Sequence, residues 1–448
     1  MLILLTQVYL REKYFIRSIF STKTTRKKNC SLQMQLNQEI LVGDNSLSAE
    51  MIDNPCEIRT DNIISRLQPA LSDNSSISDS LLNDYKNHLA GKTALHAGYP
   101  YNLSFSYEKL SPFFEFAINN LGDPFVASNY KIDSRFFEQE ALAFFAKLYQ
   151  MQDWWGYITT CGTEGNLYGL LLGRETYPDG ILYASNDSHY SIAKAARFFK
   201  IPHVVVNSQP NGEMDYVDFL SRLDSSHPAI INLNAGTTLK GAVDDLEQIL
   251  EMLERKGIKN FYIHCDGALG GMLVPYLAPG KINFNWPIHS LAISGHKFIG
   301  CPFPCGIVLT HKKLVDKLAT NIEYIGSKDT TLGGSRNGHA PLFLWYAIQQ
   351  RKHLFQLDAE TCASKAADLR ERLERVGISC LLNSYSSTVV FPKPSNTVVE
   401  KWQLSTQGDL AHVVVMQNHS DELLERFVAD YLESHYEHLS AQVLSATV

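Results

Sequence analysis

Short, unbroken apolar runs alternate with amphipathic stretches through the middle of the chain, and this alternation restricts the fold more than any other feature. Gly156-Tyr-Ile-Thr-Thr is followed by a helical run from Asn166 to Glu175, and Gly180-Ile-Leu-Tyr-Ala by another from Ser191 to Lys200. Further runs stand at His203–Val206, Ala229–Leu233, Phe261–Cys265, Ser290–Ile293 and Gly306–Leu309. A strand with one face in water alternates apolar and polar residues, whereas one covered on both faces is apolar throughout. These runs therefore predict strands buried on both sides of a mostly parallel sheet. Between two of them, Val243, Leu246, Ile249, Leu250 and Leu253 recur at helical spacing behind Asp244 and Asp245, whose charge favours a helix start. The pattern predicts an α/β domain with helices on both faces of its sheet.

After Thr310 the pattern changes. A long helical stretch, about Leu342 to Val376, leads to the strand-like segments Ser387-Thr-Val-Val-Phe and Leu410-Ala-His-Val-Val-Val-Met, then to a helix from Asp421 to about Glu433. This predicts a second, smaller α+β domain at the C-terminus. Residues 35–80 are polar and turn-rich and read as a solvated leader. The expected divisions are a leader over 1–80, a large α/β domain with its N-terminal segment over 81–325, and a loop, long helix and small domain over 326–448.

The 448 residues are 45% apolar and 19% charged, which is enough to bury a large core and unlike a disordered chain. A net charge of −7 with no basic stripe in the body of the chain argues against a nucleic-acid partner. The charge is uneven: Arg11, Lys13, Arg17, Lys23, Arg26, Lys27 and Lys28 face Glu12 alone, so the first 34 residues carry +6 and the rest −13. A secretory signal places positive charges before its apolar core, whereas here they follow Met1-Leu-Ile-Leu-Leu. An organelle transit segment and an over-extended start, with translation beginning near Met34, both fit this segment. The eight cysteines are sparse and mostly sit in apolar segments (Cys161, Cys265, Cys380), as expected in a reducing compartment such as the cytoplasm. Cys301 and Cys305 have no second Cys/His pair at zinc spacing, so Cys-Pro-Phe-Pro-Cys reads as a proline-stiffened turn and no metal is expected. No apolar run approaches the ~18 residues of a membrane span.

Three segments carry chemistry. Ser294-Gly295-His296-Lys297 follows a predicted buried strand, and open parallel sheets bind their ligands at the carboxyl ends of strands. Asp266 ends the neighbouring apolar run in His264-Cys-Asp-Gly-Ala-Leu, so one crossover can bring its carboxylate to the same sheet edge as Lys297. Gly162-Thr163-Glu164-Gly165-Asn166 lies between a strand and a helix, where backbone N–H groups can hold a phosphate. A phosphate cradle, an amine that forms a Schiff base and a carboxylate that keeps a pyridine nitrogen protonated are the three needs of pyridoxal phosphate.

With these residues in place, the sequence resembles the group II pyridoxal-phosphate-dependent amino-acid decarboxylases, in the branch holding plant serine decarboxylases and bacterial pyridoxal-dependent histidine decarboxylases. The matching stretches run in consistent order from about His96 to Met416. They include Trp155-Gly-Tyr-Ile-Thr-Thr-Cys-Gly-Thr-Glu-Gly-Asn, Ser188-His-Tyr-Ser, Gly236-Thr-Thr, Gly241-Ala-Val-Asp-Asp, Phe261-Tyr-Ile-His-Cys-Asp-Gly-Ala, Ser294-Gly-His-Lys, Gly334-Ser-Arg-Asn-Gly-His-Ala-Pro and Ser387-Thr-Val-Val-Phe. The resemblance implies the fold of the pyridoxal-phosphate-dependent transferases, fold type I. It implies Lys297 as the Schiff-base lysine, Asp266 as the partner of the pyridine nitrogen, and His189 stacked on the cofactor ring and facing substrate. It further implies Gly162, Thr163, Ser294 and His296 around the phosphate and Thr238 near the ring hydroxyl. Tyr324, in a Gly- and Thr-rich stretch that suggests a mobile loop, matches the family tyrosine that protonates Cα, in a loop that closes over the partner's site in a homodimer with shared sites.

The same resemblance implies L-serine as the leading substrate, giving ethanolamine and CO2, with Tyr101 of Gly98-Tyr-Pro-Tyr-Asn-Leu narrowing the pocket and offering a hydroxyl. L-Histidine, giving histamine and CO2, or another amino acid is the alternative, since Ala235, Gly270 and Gly333 each stand where the family pattern has more volume. From a different class comes a non-catalytic paralogue on the same fold, against which the intact Lys297, Asp266, His189 and Tyr324 speak.

Overall fold

All seven apolar runs become strands of one sheet in the computed structural model, which describes residues 79–445. These are β1 (Trp154–Thr159), β2 (Ile181–Ser185), β3 (His203–Val206), β4 (Ala229–Asn234), β5 (Phe261–Asp266), β6 (Ser290–Ser294) and β7 (Gly306–His311). Their order is β1-β7-β6-β5-β4-β2-β3. From β6 to β3 all neighbours are parallel, while β7 runs antiparallel to both β1 and β6. The sheet lies within Asn87–Val448, the second of two units into which the chain divides. The leader expected over 1–80 lies outside the described residues except for its last two, which begin a helix over Asp79–Thr93.

Both faces of the sheet are covered, as the unbroken apolar runs require. Alternate residues on each strand enter different cores: Ile158, Tyr183, Ile231 and Ile263 join one cluster, and Tyr157, Leu182, Ile230 and Tyr262 the other. The first cluster is closed by α1 (Arg135–Leu148), α4 (Tyr216–Arg222) and α5 (Leu246–Arg255), the second by α2 (Gly162–Thr176) and α3 (Ser191–Phe199). Helix α5 begins where its acidic pair predicts, but the pair divides the work. Asp245 is the N-cap, accepting from the N–H groups of Glu247 and Gln248, while Asp244 is fully buried and accepts from the N–H groups of Met214 and Asn234.

Helix α2 sits unusually close to the sheet. A Cβ at Gly165 would stand 2.9 Å from the Cβ of Ala292, and one at Gly169 would collide with the ring of His264. Beneath this helix the strands carry polar residues among their apolar ones: Asn232, Asn234, His264, Asp266, Ser290 and Ser294 are polar and buried, and Asn234, Asp266 and Ser294 end their strands. Buried polar groups require partners, and these six form a seam along the sheet edge on which the site is built.

The C-terminal part forms a second, antiparallel sheet, β10 (Leu381–Leu382), β11 (Thr388–Pro392), β12 (Ser405–Gln407) and β13 (Leu410–Val414), in the order β10-β11-β13-β12. Leu373, Phe391, Trp402, Val413 and Phe427 form its core. The single long helix expected over 342–376 is two, α6 (His339–Arg351) and α7 (Phe355–Arg375). No Gly or Pro marks the break; Arg351 reaches around the corner to Asp358 at 2.6 Å, and Phe355 is fully buried. A tertiary contact therefore makes a bend that local propensity does not announce.

Candidate active site

Lys297 lies in the turn after β6, half-buried, with its backbone N–H on the Ser294 carbonyl at 3.4 Å. Burial lowers its ammonium below the ordinary lysine value, and the Asp266 carboxylate opposes that shift. Asp266 ends β5, the strand beside β6, and is buried. Its Oδ2 accepts from Asn166 Nδ2 at 2.7 Å and its Oδ1 from the Ala268 N–H at 3.2 Å. His189 stands just before α3, with Nδ1 2.8 Å from Ser191 Oγ. Burial lowers its pKa; Asp266 raises it, and Lys297 and Lys194 lower it. The structure thus brings Lys297, Asp266 and His189 within electrostatic reach of one another.

The first turn of α2 lies at the same edge. Its N-cap, Cys161, is extended and gives no side-chain cap, so the leading N–H groups of the helix are not capped by a side chain of their own chain start. A Cβ at Gly162 would run into Ser294 Oγ. Thr163 is half-buried in this turn, beside a cavity of about 350 Å³ also lined by Cys161, Leu332, Gly333 and Arg336. Uncapped donors, a glycine that leaves the approach open, a serine hydroxyl, an amine and a buried carboxylate are the donor set that pyridoxal phosphate needs. His296 is half-buried, its Nδ1 2.8 Å from the Cys305 carbonyl.

Tyr101 is held over the lysine turn by its neighbour: Asn102 donates its N–H to the Lys297 carbonyl and its Nδ2 to the Phe298 carbonyl, both at 3.1 Å. The Tyr101 ring centroid lies 5.8 Å from that of His296. Two expected residues stand apart within the chain. Thr238 is exposed in the turn after β4, and its buried neighbour Thr237 makes the hydrogen bond there, accepting from the Ala242 N–H at 3.0 Å. Tyr324 is 82% exposed. It lies between β8 (Thr320–Ile322) and β9 (Ser327–Asp329), and the stretch read as a mobile loop contains this antiparallel ribbon, tied by the Ile325 and Lys328 carbonyls to the N–H groups of Asn129 and Asp123.

The extra volume expected at Gly270 is absent. A Cβ at Gly270 would collide with the Ala235 carbonyl, so this small residue lets backbone approach backbone instead of enlarging a pocket. Sequence reasoning also passed over Asn166 and His264 as individuals. His264 lies two residues before Asp266 and so on the same face of β5, which was the available signal.

Burial holds His264 and His419 down to about 4. A histidine whose folded pKa is depressed stabilises fully above its unfolded value near 6.5 and loses that contribution as pH falls toward the folded value. At ~1.4 kcal/mol per unit, each is worth on the order of 3 kcal/mol across that window. The urea midpoint of unfolding is expected to fall steadily from pH 7 to pH 4.5, and His419→Gln to flatten the slope; an unchanged slope would remove His419 from the account.

Lysine and carboxylate on adjacent strand ends, beside the free start of a helix, define an enzyme built to hold pyridoxal phosphate. The comparisons narrow this. Residues 174–351 match the pyridoxal-dependent decarboxylase conserved domain. The chain is 48% identical to serine decarboxylase 1 of Oryza sativa subsp. japonica over 363 residues, 79% of this chain and 75% of that one. It is 44% identical to a histidine decarboxylase of Solanum lycopersicum over 79% of this chain and 88% of that one, and 42% identical to one of Morganella morganii over 75% and 92%. Among solved structures, L-methionine decarboxylase from Streptomyces sp.590 in its internal aldimine form aligns with a TM-score of 0.72 at 26% identity, covering 80% of this chain and 96% of that one. The chain belongs to the pyridoxal-dependent decarboxylase family and is a pyridoxal-phosphate-dependent amino-acid decarboxylase. Among the described residues, no helix is long and apolar enough to cross a membrane.

Proposed function

We propose that the enzyme decarboxylates L-serine to ethanolamine and CO2. The observation that supports this reading is the tie of the Tyr101 segment to the lysine turn: Asn102 bonds to the Lys297 and Phe298 carbonyls, and the Tyr101 ring stands beside that of His296. The higher identity to serine decarboxylases than to histidine decarboxylases supports the same choice, as does the loss of Gly270 as a source of room for an imidazole.

When bound, pyridoxal phosphate supplies an aldehyde for the substrate amine and an electron-poor ring that accepts the electron pair of the broken Cα–carboxylate bond. Gly162 and Thr163 in the first turn of α2, with Ser294 and His296, would hold the phosphate; Thr238, exposed in the turn after β4, is the residue that the resemblance assigns to the ring hydroxyl. Asp266 would keep the ring nitrogen protonated. Lys297 would hold the cofactor through its amine. His189 would lie against the ring, and Tyr324 would supply a proton to Cα.

Tyr324 does this for a second copy of the chain. Its exposure supports a homodimer with shared sites, as do the exposed apolar side chains of Phe114, Phe116, Phe125, Ile132 and Phe136. All six cysteines among the described residues are free thiols, which supports a reducing compartment such as the cytoplasm.

The test is kcat/KM for serine, alanine and histidine. A pocket that hydrogen-bonds a hydroxyl rejects the analogue lacking it far more strongly than an apolar pocket rejects one methylene. Serine is expected to be the best substrate, and Tyr101→Phe to narrow the serine-over-alanine ratio by tenfold or more. A preference for histidine, or a ratio untouched by the mutation, would overturn the assignment.

A further inference from the structure

We infer that Asn166 and His264 are positioning residues for the cofactor site, a single amide and an imidazole that together set the orientation of both Asp266 and His189. The inference rests on the proposed roles of those two residues at the cofactor ring.

The hydrogen-bond directions are forced one after another. An ionised carboxylate only accepts, so the group of Asn166 that faces Asp266 Oδ2 at 2.7 Å must be its NH₂. That fixes the amide, and Oδ1 points the other way, to His264 Nε2 at 3.0 Å. An amide oxygen only accepts, so His264 carries its proton on Nε2. His264 is fully buried and its pKa is held down to about 4, so the ring is neutral and Nδ1 accepts, from Ser290 Oγ at 2.8 Å. The Ser290 oxygen in turn accepts from the Tyr262 hydroxyl at 2.8 Å.

The second N–H of the same amide runs the other way, to Ser191 Oγ at 2.9 Å. With one lone pair so occupied, Ser191 turns its hydrogen to His189 Nδ1 at 2.8 Å, and the Ser191 backbone N–H points at the same nitrogen from 3.3 Å. His189 is thereby left with its ring proton on Nε2. One side chain on α2 thus ties the end of β5 to the start of α3. Gly169 is the room made for this arrangement, since any side chain there would displace the His264 ring.

A relay of this kind predicts a pattern that simple loss of packing does not. His264→Phe keeps the ring but removes the donor to Asn166. His264→Gln loses the ring but returns an amide N–H that can donate from nearly the same place. Asn166→Asp keeps the shape while replacing two donors with acceptors. The measurement is the release of pyridoxal phosphate from each full-length holoenzyme on dilution, read by the fluorescence of free cofactor, with thermal unfolding followed in parallel.

His264→Phe and Asn166→Asp are expected to weaken cofactor retention tenfold or more, and His264→Gln to recover most of it even if it unfolds at a lower temperature than His264→Phe. Retention within twofold of wild type in both damaging variants, or retention that merely follows thermal stability across the three, overturns the proposal. Asp266→Ala separates the two levels of the argument. If it loosens the cofactor while the Asn166 and His264 variants do not, the relay has failed and the role of Asp266 stands. If Asp266→Ala also retains the cofactor normally, the role of Asp266 has failed and the relay falls with it.

Discussion

Replacing Lys297 with alanine is expected to reduce amine formation to background, a loss of three orders of magnitude or more on the scale of removing a group that acts covalently, while the protein stays folded. The amine projects from a turn beyond β6, and the register of β6 with β5 and β7 is carried by backbone groups that the substitution leaves alone. The measurement is ethanolamine production by purified protein with added cofactor, beside circular dichroism and thermal unfolding of the same sample. A folded, cofactor-loaded variant that still decarboxylates at more than a trace rate would sink the assignment of Lys297. Asp266→Asn should also be severe, and it carries a sign of its own. Because the Asp266 charge raises the pKa of Lys297, neutralising it is expected to push the lysine lower still. In the cofactor-free protein, the pH dependence of Lys297 modification by an amine-directed reagent should therefore move to lower pH.

The second large effect concerns subunits. Tyr324→Phe, like Lys297→Ala, is expected to form almost no amine by itself. Mixed and allowed to exchange, the two inactive proteins should recover about a quarter of wild-type activity, the share of sites that random pairing in a two-fold dimer would give both intact groups. This follows only if the exposed Tyr324 serves the neighbouring chain. If each chain used its own tyrosine, every site in every mixed dimer would lack one of the two groups. No recovery after exchange has been verified by mass would count against donation between subunits.

The strands of the large sheet were legible because burial on both faces writes itself into sequence as unbroken apolar runs, and all seven runs are strands. The antiparallel course of β7 was not, since an apolar run reads the same in either direction. The bend between α6 and α7 escaped for a related reason: Arg351 and Asp358 are ordinary surface residues until the chain has turned. At the site, Lys297 and Asp266 could be picked out because each follows an apolar run and strand ends face ligands. Asn166 and His264 gain their meaning only when α2 lies over β5 and β6, and the shared face of His264 and Asp266 on β5 was the one local sign of it. Gly270 was misread in the opposite direction: small residues suggest space, but here a backbone carbonyl fills it.

The closeness of α2 to the sheet limits how this enzyme can change over time. Alanine is the strongest helix former and glycine among the weakest, by about 1 kcal/mol per residue, so glycine-to-alanine exchange in helices is a common route to heat resistance. Along α2 that route is shut. A methyl group at Gly162 meets the Ser294 hydroxyl, at Gly165 the next strand, at Gly169 the imidazole, and at Gly173 it comes within 3.1 Å of Ile230. A library covering every position of this helix should return a stripe of intolerance at intervals of three and four residues, one turn apart. Along that stripe, heat-resistant variants and descendants living at higher temperature would have to gain their stability elsewhere in the molecule.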